Sequence, residues 1–306
     1  MFDFRKNLKY FAGAYAVIIV AAIVALLIFG INLSIDFRGG SRFTFTYKGD
    51  IKVSTAEKLI EKTIKEKVTV TTGKTLNSNS KKLVVSLQKK DALDSDAQAE
   101  LLKSLQEKFS KNDIKLGDSS TVSANIAASF FAKALVAVLI AAIFVVIYVG
   151  IRFRKIGGVS AALTALCAVV LDVCVAFATC IFFRLQIDAN FIAVVLTILG
   201  YSLNDTIVTY DRVRENRAKL SGVEIGELVN TSINQVKTRT IVTTVTTVLS
   251  VITILVVSEI YGLTSLRTFT IPMMFSLISG CMSSLTIAGP LWVLWKTRKS
   301  AKAKAE

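Results

Sequence analysis

The chain has 306 residues, of which 53% are hydrophobic, and a mean hydropathy of +0.57. This composition excludes an ordinary soluble domain and indicates a polytopic membrane protein. The net charge of +15 would also suit a nucleic-acid-binding protein, so the positions of the charges are needed to choose between these classes.

Six apolar stretches are long enough to cross a bilayer as helices, and they occupy 10–31, 127–151, 157–183, 189–210, 240–258 and 268–295. The first has the basic front end of a signal peptide, but its apolar run is too long and no small-residue cleavage site follows, so we expect a retained anchor. The predicted parts are a cytoplasmic N-terminus with the first helix (1–31), an extracytoplasmic α+β domain (32–125), a five-helix transmembrane bundle (126–296) and a basic cytoplasmic tail (297–306).

Lysine and arginine are concentrated on one side of these predicted spans. The N-terminus, the loop 152–155, the region 211–239 and the tail 296–304 are all basic, whereas the short loops on the other side carry Arg184 and Arg267 alone. Because cytoplasmic loops are enriched in basic residues, both termini are predicted to be cytoplasmic. The net charge is thus explained by membrane topology, and no nucleic-acid partner is expected.

Cysteine and histidine usage limits the possible cofactors. The chain has no histidine, and its cysteines all lie in predicted spans, at positions 167, 174, 180 and 281. A disulfide framework, a zinc site or a haem site is therefore not expected. No cofactor is predicted from these residues.

The first span is followed by the sequence Asp36-Phe37-Arg38-Gly39-Gly40. Two consecutive glycines permit backbone angles that are closed to other residues, which predicts a turn from a helix into a strand. A plain turn at the membrane exit and a direct functional role both remain open for this segment.

The region 41–125 shows the pattern of a small folded domain. Alternating and β-branched segments predict four strands, two helices lie between them, and a turn is predicted at 77–80. The order βαββαβ is that of the split-βαβ, or ferredoxin-like, arrangement. No catalytic constellation is found in it, which favours a binding or mechanical module over an enzyme.

The third predicted span contains an acid, Asp172, surrounded by small residues. At helical steps of three and four its neighbours are Ala161, Ala165, Ala168, Ala176 and Thr179. Such a stripe is the usual face for close helix packing in membranes. Asp172 is interpreted either as part of a proton relay or as a hydrogen-bonded interior acid.

The fourth span ends in GYSLNDTIVTYDRVREN, the segment Gly200–Asn216. Asn204 and Asp205 therefore lie where the chain would otherwise be in lipid. An aspartate at the centre of a membrane helix costs about 2.5–3.5 kcal/mol, so an acid at this position indicates a functional site. Thr197, Tyr201, Asn204/Asp205 and Thr209 fall on one predicted helical face.

The fifth span carries a polar stripe of its own, formed by Arg239, Thr243, Thr246, Ser250 and Thr253. From the rise of 1.5 Å per residue, Arg239 and Asp205 are predicted to lie within one helical turn of the same depth. An interfacial arginine that reaches toward the cytoplasmic headgroups is one interpretation of Arg239. Pairing of Arg239 with Asp205, with the two polar stripes facing each other, is favoured.

These motifs together resemble a known family. GYSLNDTIVTYDRVREN is similar to the fourth-span signature of the SecF branch of the SecD/SecF family, which is related to resistance-nodulation-division transporters. Asp36-Phe37-Arg38-Gly39-Gly40 resembles the family's DFxGG element, and Asn234-Gln235 with Arg239-Thr240 resembles its fifth-span motif. The resemblance covers essentially the whole chain.

The resemblance implies an accessory subunit of the Sec export machinery, located in the bacterial cytoplasmic membrane and surrounded by membrane lipids. It implies pairing with SecD, docking on the SecYEG translocon, and use of the proton-motive force to move preprotein substrates. Asp205 would carry the proton and Arg239 would be its charge partner, with Asn204, Thr243 and Asp172 as further relay candidates. The motif residues Gly200, Tyr201, Asp211 and Arg212 would have structural roles.

Two positions depart from the family pattern: Leu171 stands where many relatives have histidine, and Thr268 stands where an aspartate is frequent. The first departure weakens the case for a His–Asp relay in the third span. Two alternative functions remain open. The chain could be one half of a proton-driven small-molecule or lipid exporter, or a structural membrane subunit without proton coupling. An enzyme is not expected, because no nucleophile–base set or metal cluster is recognisable.

Overall fold

The computed structural model describes residues 3–64, 68–74, 80–87, 95–220, 222–261 and 263–302. Its α-helices are α1 Phe4–Phe29, α2 Ile35–Arg38, α3 Val53–Ile64, α4 Ser95–Lys108, α5 Ala124–Arg152, α6 Gly158–Phe182, α7 Ala189–Lys219, α8 Ile225–Tyr261, α9 Thr264–Ser283 and α10 Gly289–Lys302. Its strands are β1 Gly40–Lys48, β2 Val68–Lys74, β3 Ser80–Leu87 and β4 Lys115–Val122. A π-helical turn, Ser284–Ala288, joins α9 and α10 into one long helix.

Six helices are long and apolar enough to cross a membrane, as predicted, within the residues that the structure describes. Two of them extend well beyond the predicted spans, since α7 continues to Lys219 and α8 already begins at Ile225. Polar contacts support these extensions: Asn216 Nδ2 donates hydrogen bonds of 2.8 Å to Ser232 Oγ and to Gln235 Oε1. Hydropathy marks only the part of a helix that lies in lipid, so it underestimates the length of both helices.

The spans differ in how much of their surface is buried by the rest of the chain. The third, fourth and sixth spans form the interior of the bundle, and the first, second and fifth lie outside them. On α6, Ala161, Ala165 and Ala168 are fully buried. Small side chains allow the backbones of neighbouring helices to approach closely, which explains why the predicted small-residue stripe lies in the centre.

A small antiparallel sheet lies between the first two spans, with the strand order β2-β3-β1-β4. The register places Phe43 opposite Val85, and both side chains are buried against α3 and α4. Alternate residues of the strands therefore supply the domain core, together with Leu101 and Leu105 of α4. Apart from residue 80, the predicted turn at 77–80 lies outside the described residues.

The double-glycine segment forms a turn from a helix into a strand, as predicted. The short helix α2 is capped by Ser34 at its start and by Gly39 at its end, and Gly39 has a φ of 79°. Gly40 begins β1 with a φ of 129°, and a Cβ atom at this position would lie 2.1 Å from the backbone oxygen of Leu87. Only glycine satisfies both the backbone angle and this close approach.

Candidate functional site

Asp205 lies on the inner face of α7 and is 3% exposed. Its Oδ2 atom is buried and accepts no hydrogen bond from any described residue. A buried carboxylate oxygen without a donor is costly, whereas a protonated or hydrated carboxyl group would remove that cost. The site is therefore built so that the charge state of Asp205 matters to the packing around it.

The register between α7 and α8 follows from two hydrogen bonds. Tyr201 on α7 donates to Thr247 on α8 at 3.0 Å, and Asn216 donates to Ser232 further along the same pair of antiparallel helices. This alignment places Thr243 and Thr244 opposite Asp205. Arg239 falls one helical turn nearer the basic ends of the helices.

Arg239 and Asp205 are thus brought to neighbouring positions without direct contact. The Arg239 charge acts on the Asp205 carboxyl group. However, none of their nitrogen and oxygen atoms lie within 4.0 Å of each other, so they form no salt bridge. Instead, Arg239 lines a cavity of about 490 Å³ at the basic ends of α7 and α8. The predicted pairing is therefore an electrostatic relationship across a gap.

Beside Arg239, this cavity is lined by motif residues of α7. Asp211 forms ion pairs with Arg152 at 3.1 Å and with Arg214 at 2.8 Å. Arg212 donates to Gln235 Oε1 at 2.6 Å and to Glu215 Oε2 at 2.6 Å. Asp211 therefore links α7 to the end of α5, and Arg212 links α7 to α8, with the cavity beside them.

The predicted meeting of the two polar stripes is wrong in one respect. Thr246, Ser250 and Thr253 face away from the bundle, and each hydroxyl donates to a carbonyl of its own helix. In this part of α8 the hydrogen bond to α7 is made by Thr247, which directly follows Thr246. A hydroxyl can satisfy itself on its own helix, so a polar stripe does not fix which way the helix faces.

The predicted polar face of α7 is likewise divided. Asp205 and Thr209 are buried, whereas Thr197 and Asn204 are exposed. Gly200 is also exposed, and a Cβ atom at this position would find nothing within 4 Å. Together with the exposed stripe of α8, these residues leave a polar face of the membrane bundle uncovered in the single chain.

Asp172 forms a separate buried cluster near the centre of the bundle. It is fully buried and accepts hydrogen bonds from Ser202 at 2.7 Å, Ser279 at 2.6 Å and Ser283 at 2.8 Å. Tyr15 of α1 donates to the backbone oxygen of Ser279 at 3.0 Å. The acid therefore connects α6, α7 and α9, with α1 attached through Ser279.

The Asp172 cluster approaches the Asp205 site through α7 and the π-helical turn. Ser284 Oγ donates to the backbone oxygen of Ser202 at 3.1 Å, and Thr206 Oγ1 donates to Ser284 Oγ at 3.1 Å. Thr206 directly follows Asp205 in the chain. Single π-helical turns within α-helices are frequent at functional sites. Here the turn supplies Ser284, whose hydroxyl bridges the two clusters.

Sequence reasoning identified the two acids but missed several of the residues around them. Ser202 and Ser279 donate to Asp172, and Thr244 places a buried, unpartnered hydroxyl at the depth of Asp205. The sixth span contains a run of serines, which is typical of a close-packing helix face. This run did not indicate which of these serines would reach Asp172, because that depends on the rotation of the helix.

Comparison with known proteins gives family matches over most of the chain. Residues 101–298 match the family described as protein export membrane protein SecD/SecF, C-terminal, and residues 24–51 match the SecD/SecF GG motif. The second match contains the double-glycine turn described above.

Individual relatives agree with these matches. The chain is 35% identical over 311 residues to the protein translocase subunit SecDF of Bacillus subtilis, covering 99% of this chain and 39% of that protein. It is 32% identical over 313 residues to the protein translocase subunit SecF of Alicyclobacillus acidocaldarius, covering 99% and 95% respectively. The crystal structure of SecDF, a translocon-associated membrane protein from Thermus thermophilus, matches with a TM-score of 0.80 and 28% identity, over 97% of this chain and 39% of that one. The chain therefore spans less than half of the SecDF proteins and nearly all of the SecF protein.

Proposed function

Since the chain belongs to the SecD/SecF family of protein export membrane proteins, we propose that it pairs with SecD and uses the proton-motive force to promote preprotein translocation through SecYEG. In this proposal it is a subunit of a transport machine and not an enzyme. It lies in the bacterial cytoplasmic membrane with both termini in the cytoplasm, in keeping with the basic ends of its spans.

The observation that carries the proposal is the buried Asp205 carboxyl group, with one oxygen unpartnered and an arginine charge nearby but not in contact. Low dielectric favours the neutral acid, and the guanidinium favours the carboxylate. A group held between two opposing influences can load and release a proton. One elementary charge that crosses the full membrane potential gains about 2.3 kcal/mol per 100 mV, which is enough to bias the packing of two helices.

In the proposed cycle, a proton reaches Asp205 from the side of the α+β domain 32–125. It leaves through the cavity beside Arg239. Protonation removes the attraction between Asp205 and Arg239, so α7 and α8 are free to shift about the Tyr201–Thr247 contact. Asn204 and Thr243 lie at the depth of Asp205 and would line the proton path once a partner covers them. The helix shift would pass to the domain 32–125 through the ends of the spans.

Pairing with SecD is supported by the uncovered polar face. Arg239 and Asn204 are exposed and would otherwise meet lipid, which is unfavourable for a guanidinium and an amide group. The exposed Gly200 offers a point where a partner helix could approach the backbone of α7 closely. The SecDF relatives, in which one chain includes this whole region, support the same association.

We further propose that the domain 32–125 is of the ferredoxin-like type and contacts the emerging preprotein. The strand order β2-β3-β1-β4 and the helices α3 and α4 packed on one face support this assignment. Asp172 has two candidate roles, a second relay acid or an interior acid that positions α7. Its three serine donors support the second role.

Proton flux into vesicles that contain this chain with SecD tests the proposal. Asp205→Asn keeps the size of the side chain but cannot carry a proton, so we expect assembly with SecD to persist and flux to be lost. Asp118→Asn on the exposed strand β4 makes the same chemical change far from the site and should leave flux unchanged. Normal flux in the Asp205→Asn variant would overturn the proposed role.

Arg239→Lys provides a graded second test. Lysine keeps the charge but has a shorter and differently shaped head group, so we expect a partial loss of flux. Arg239→Ala should lose flux to a similar degree as Asp205→Asn. A fully active Arg239→Ala variant would leave Arg239 with an anchoring role only.

A further inference from the structure

A cavity of about 540 Å³ lies between the outer ends of two spans and the edge of the external sheet. One wall contains Phe29 of α1 together with Ile181 and Arg184 at the end of α6, and the opposite wall contains Glu57 and Glu61 of α3. Because α1 ends at Phe29 and α6 ends at Phe182, the cavity lies at the level of the lipid headgroups.

The cavity contains opposite charges that do not neutralise each other. The Arg184 guanidinium lies over the Phe29 ring, 5.5 Å from its centroid, and forms no salt bridge within the described part of the chain. Glu57 likewise has no ion pair there, and Glu61 accepts only a long hydrogen bond of 3.5 Å from the Val68 amide. A single ligand that carries one negative and one positive group would complement both walls.

The backbone holds the arginine in this position. Arg184 has a φ of 53°, a left-handed conformation that is uncommon for residues other than glycine. Its amide donates to the Ile181 oxygen at 3.1 Å, and the next amide donates to the Cys180 oxygen at 2.8 Å. These are the hydrogen bonds of a Schellman-type helix end, so the C-terminus of α6 fixes the backbone of Arg184 beside the cavity.

From this geometry we propose that the cavity binds the headgroup of a phospholipid with a free amine, phosphatidylethanolamine. The phosphate is bound by Arg184, whose guanidinium suits phosphate oxygens, and the ammonium group is bound by Glu57 and Glu61. The order along the membrane normal agrees with this assignment. In the lipid the phosphate lies nearer the acyl chains, and in the protein Arg184 lies nearer the spans than the two glutamates.

The surroundings favour a lipid over a soluble ligand. Phe29, which lines the cavity, and Phe182, the last residue of α6, are about half exposed, and acyl chains would cover them. A phospholipid without the amine, such as phosphatidylglycerol, would place an uncharged glycerol group at the two carboxylates and leave their negative charge uncompensated. The headgroup would connect the membrane surface to α3 of the external domain, and this role is separate from proton coupling at Asp205.

Native mass spectrometry of the purified full chain with defined lipids tests this inference. We expect phosphatidylethanolamine to be retained more strongly than phosphatidylcholine, and phosphatidylglycerol to be retained least. Arg184→Ala should weaken retention of phosphatidylethanolamine about tenfold, the effect of losing one charge-assisted hydrogen bond. Arg267→Ala is the matched control, because Arg267 lies in the first turn of α9 and pairs with Glu259.

The double substitution Glu57→Gln and Glu61→Gln separates headgroup recognition from folding, since both residues lie at the surface of α3. It should abolish the preference for phosphatidylethanolamine over phosphatidylglycerol while binding of phosphate-containing lipids persists. Equal retention of the two lipids by the unmodified chain would overturn the inference. Displacement of the bound lipid by an unfolded preprotein segment would assign the cavity to a peptide instead. None of these measurements requires SecD, so they succeed or fail independently of the proposed transport function.

Discussion

Tyr201 of α7 donates a 3.0 Å hydrogen bond to Thr247 of α8. This contact lies one helical turn from Asp205, on the side that faces the α+β domain 32–125. The cavity that contains Arg239 lies on the opposite side of Asp205. The acid is therefore bounded by a closed contact in one direction and an open cavity in the other. In the proposed transport cycle, this asymmetry would give a proton at Asp205 a preferred direction of movement.

Tyr201→Phe tests the closed side. The substitution removes one hydroxyl from a partly buried contact, so we expect a loss of about 1 kcal/mol in stability. It should also increase proton leak in vesicles that contain SecD, because the α7–α8 contact opens more easily. Tyr148→Phe, in which the lost hydroxyl lies on an exposed face of α5, is the matched control. A leak no greater than that of the control would contradict the gating role.

Asp172→Asn tests the buried serine cluster. Three serine hydroxyls donate to the carboxylate, and an amide group would present a donor to at least one of them. We expect a loss of about 2 kcal/mol in stability, measured by denaturant unfolding in detergent. Ser202→Ala removes a single side-chain hydrogen bond to Asp172 and should cost about half as much. Unchanged stability with lost proton flux would instead indicate a relay acid.

Gly200→Leu tests the uncovered face of α7. Nothing lies within 4 Å of a Cβ at this position, so the isolated chain should fold with unchanged stability. Close approach of a partner helix would be blocked, and recovery of SecD with the tagged chain should fall severalfold. Gly13→Leu is the control, because Gly13 of α1 is equally unobstructed. Equal recovery with both variants would place the SecD interface elsewhere.

Asp188→Asn tests the cap of α7. Burial raises the pKa of Asp188 above its ordinary value of 3.8, although hydrogen bonds from Thr268 and Asn190 oppose this shift. For an acid whose pKa is raised by folding, the stabilising contribution is present at low pH and is lost as pH rises through the raised pKa. The melting temperature of the native chain relative to Asp188→Asn should therefore decrease from about pH 4 upward.

Asp50→Asn should show a pH dependence of stability opposite to that of Asp188→Asn. A hydrogen bond from Lys81 lowers the pKa of Asp50, so its contribution is present above the ordinary value of 3.8 and is lost as pH falls. The melting temperature of the native chain relative to that of Asp50→Asn should therefore decrease toward low pH. The change should be small because the Asp50–Lys81 pair is exposed. The same pH trend in both variants would mean that these carboxyl groups do not control it.

Much of the fold was accessible from the sequence because it depends on local properties. The length of an apolar run determines whether a helix can span lipid, and two glycines after Asp36-Phe37-Arg38 were sufficient to predict the turn that Gly39 and Gly40 form. Asp205 stood out for the same reason, since a carboxyl group inside an apolar run is recognisable without any knowledge of its neighbours.

The rotation of each helix about its axis was decided only by the tertiary structure. Thr246 and Thr247 are adjacent in the chain, yet one faces outward and the other binds Tyr201. The donors to Asp172 come from positions 30, 107 and 111 residues away, on two other helices. The sequence by itself therefore determined which segments are apolar enough to enter a membrane and which two acids are out of place there. The side chains that face these acids depend on how the six helices pack against one another. No single segment encodes that packing.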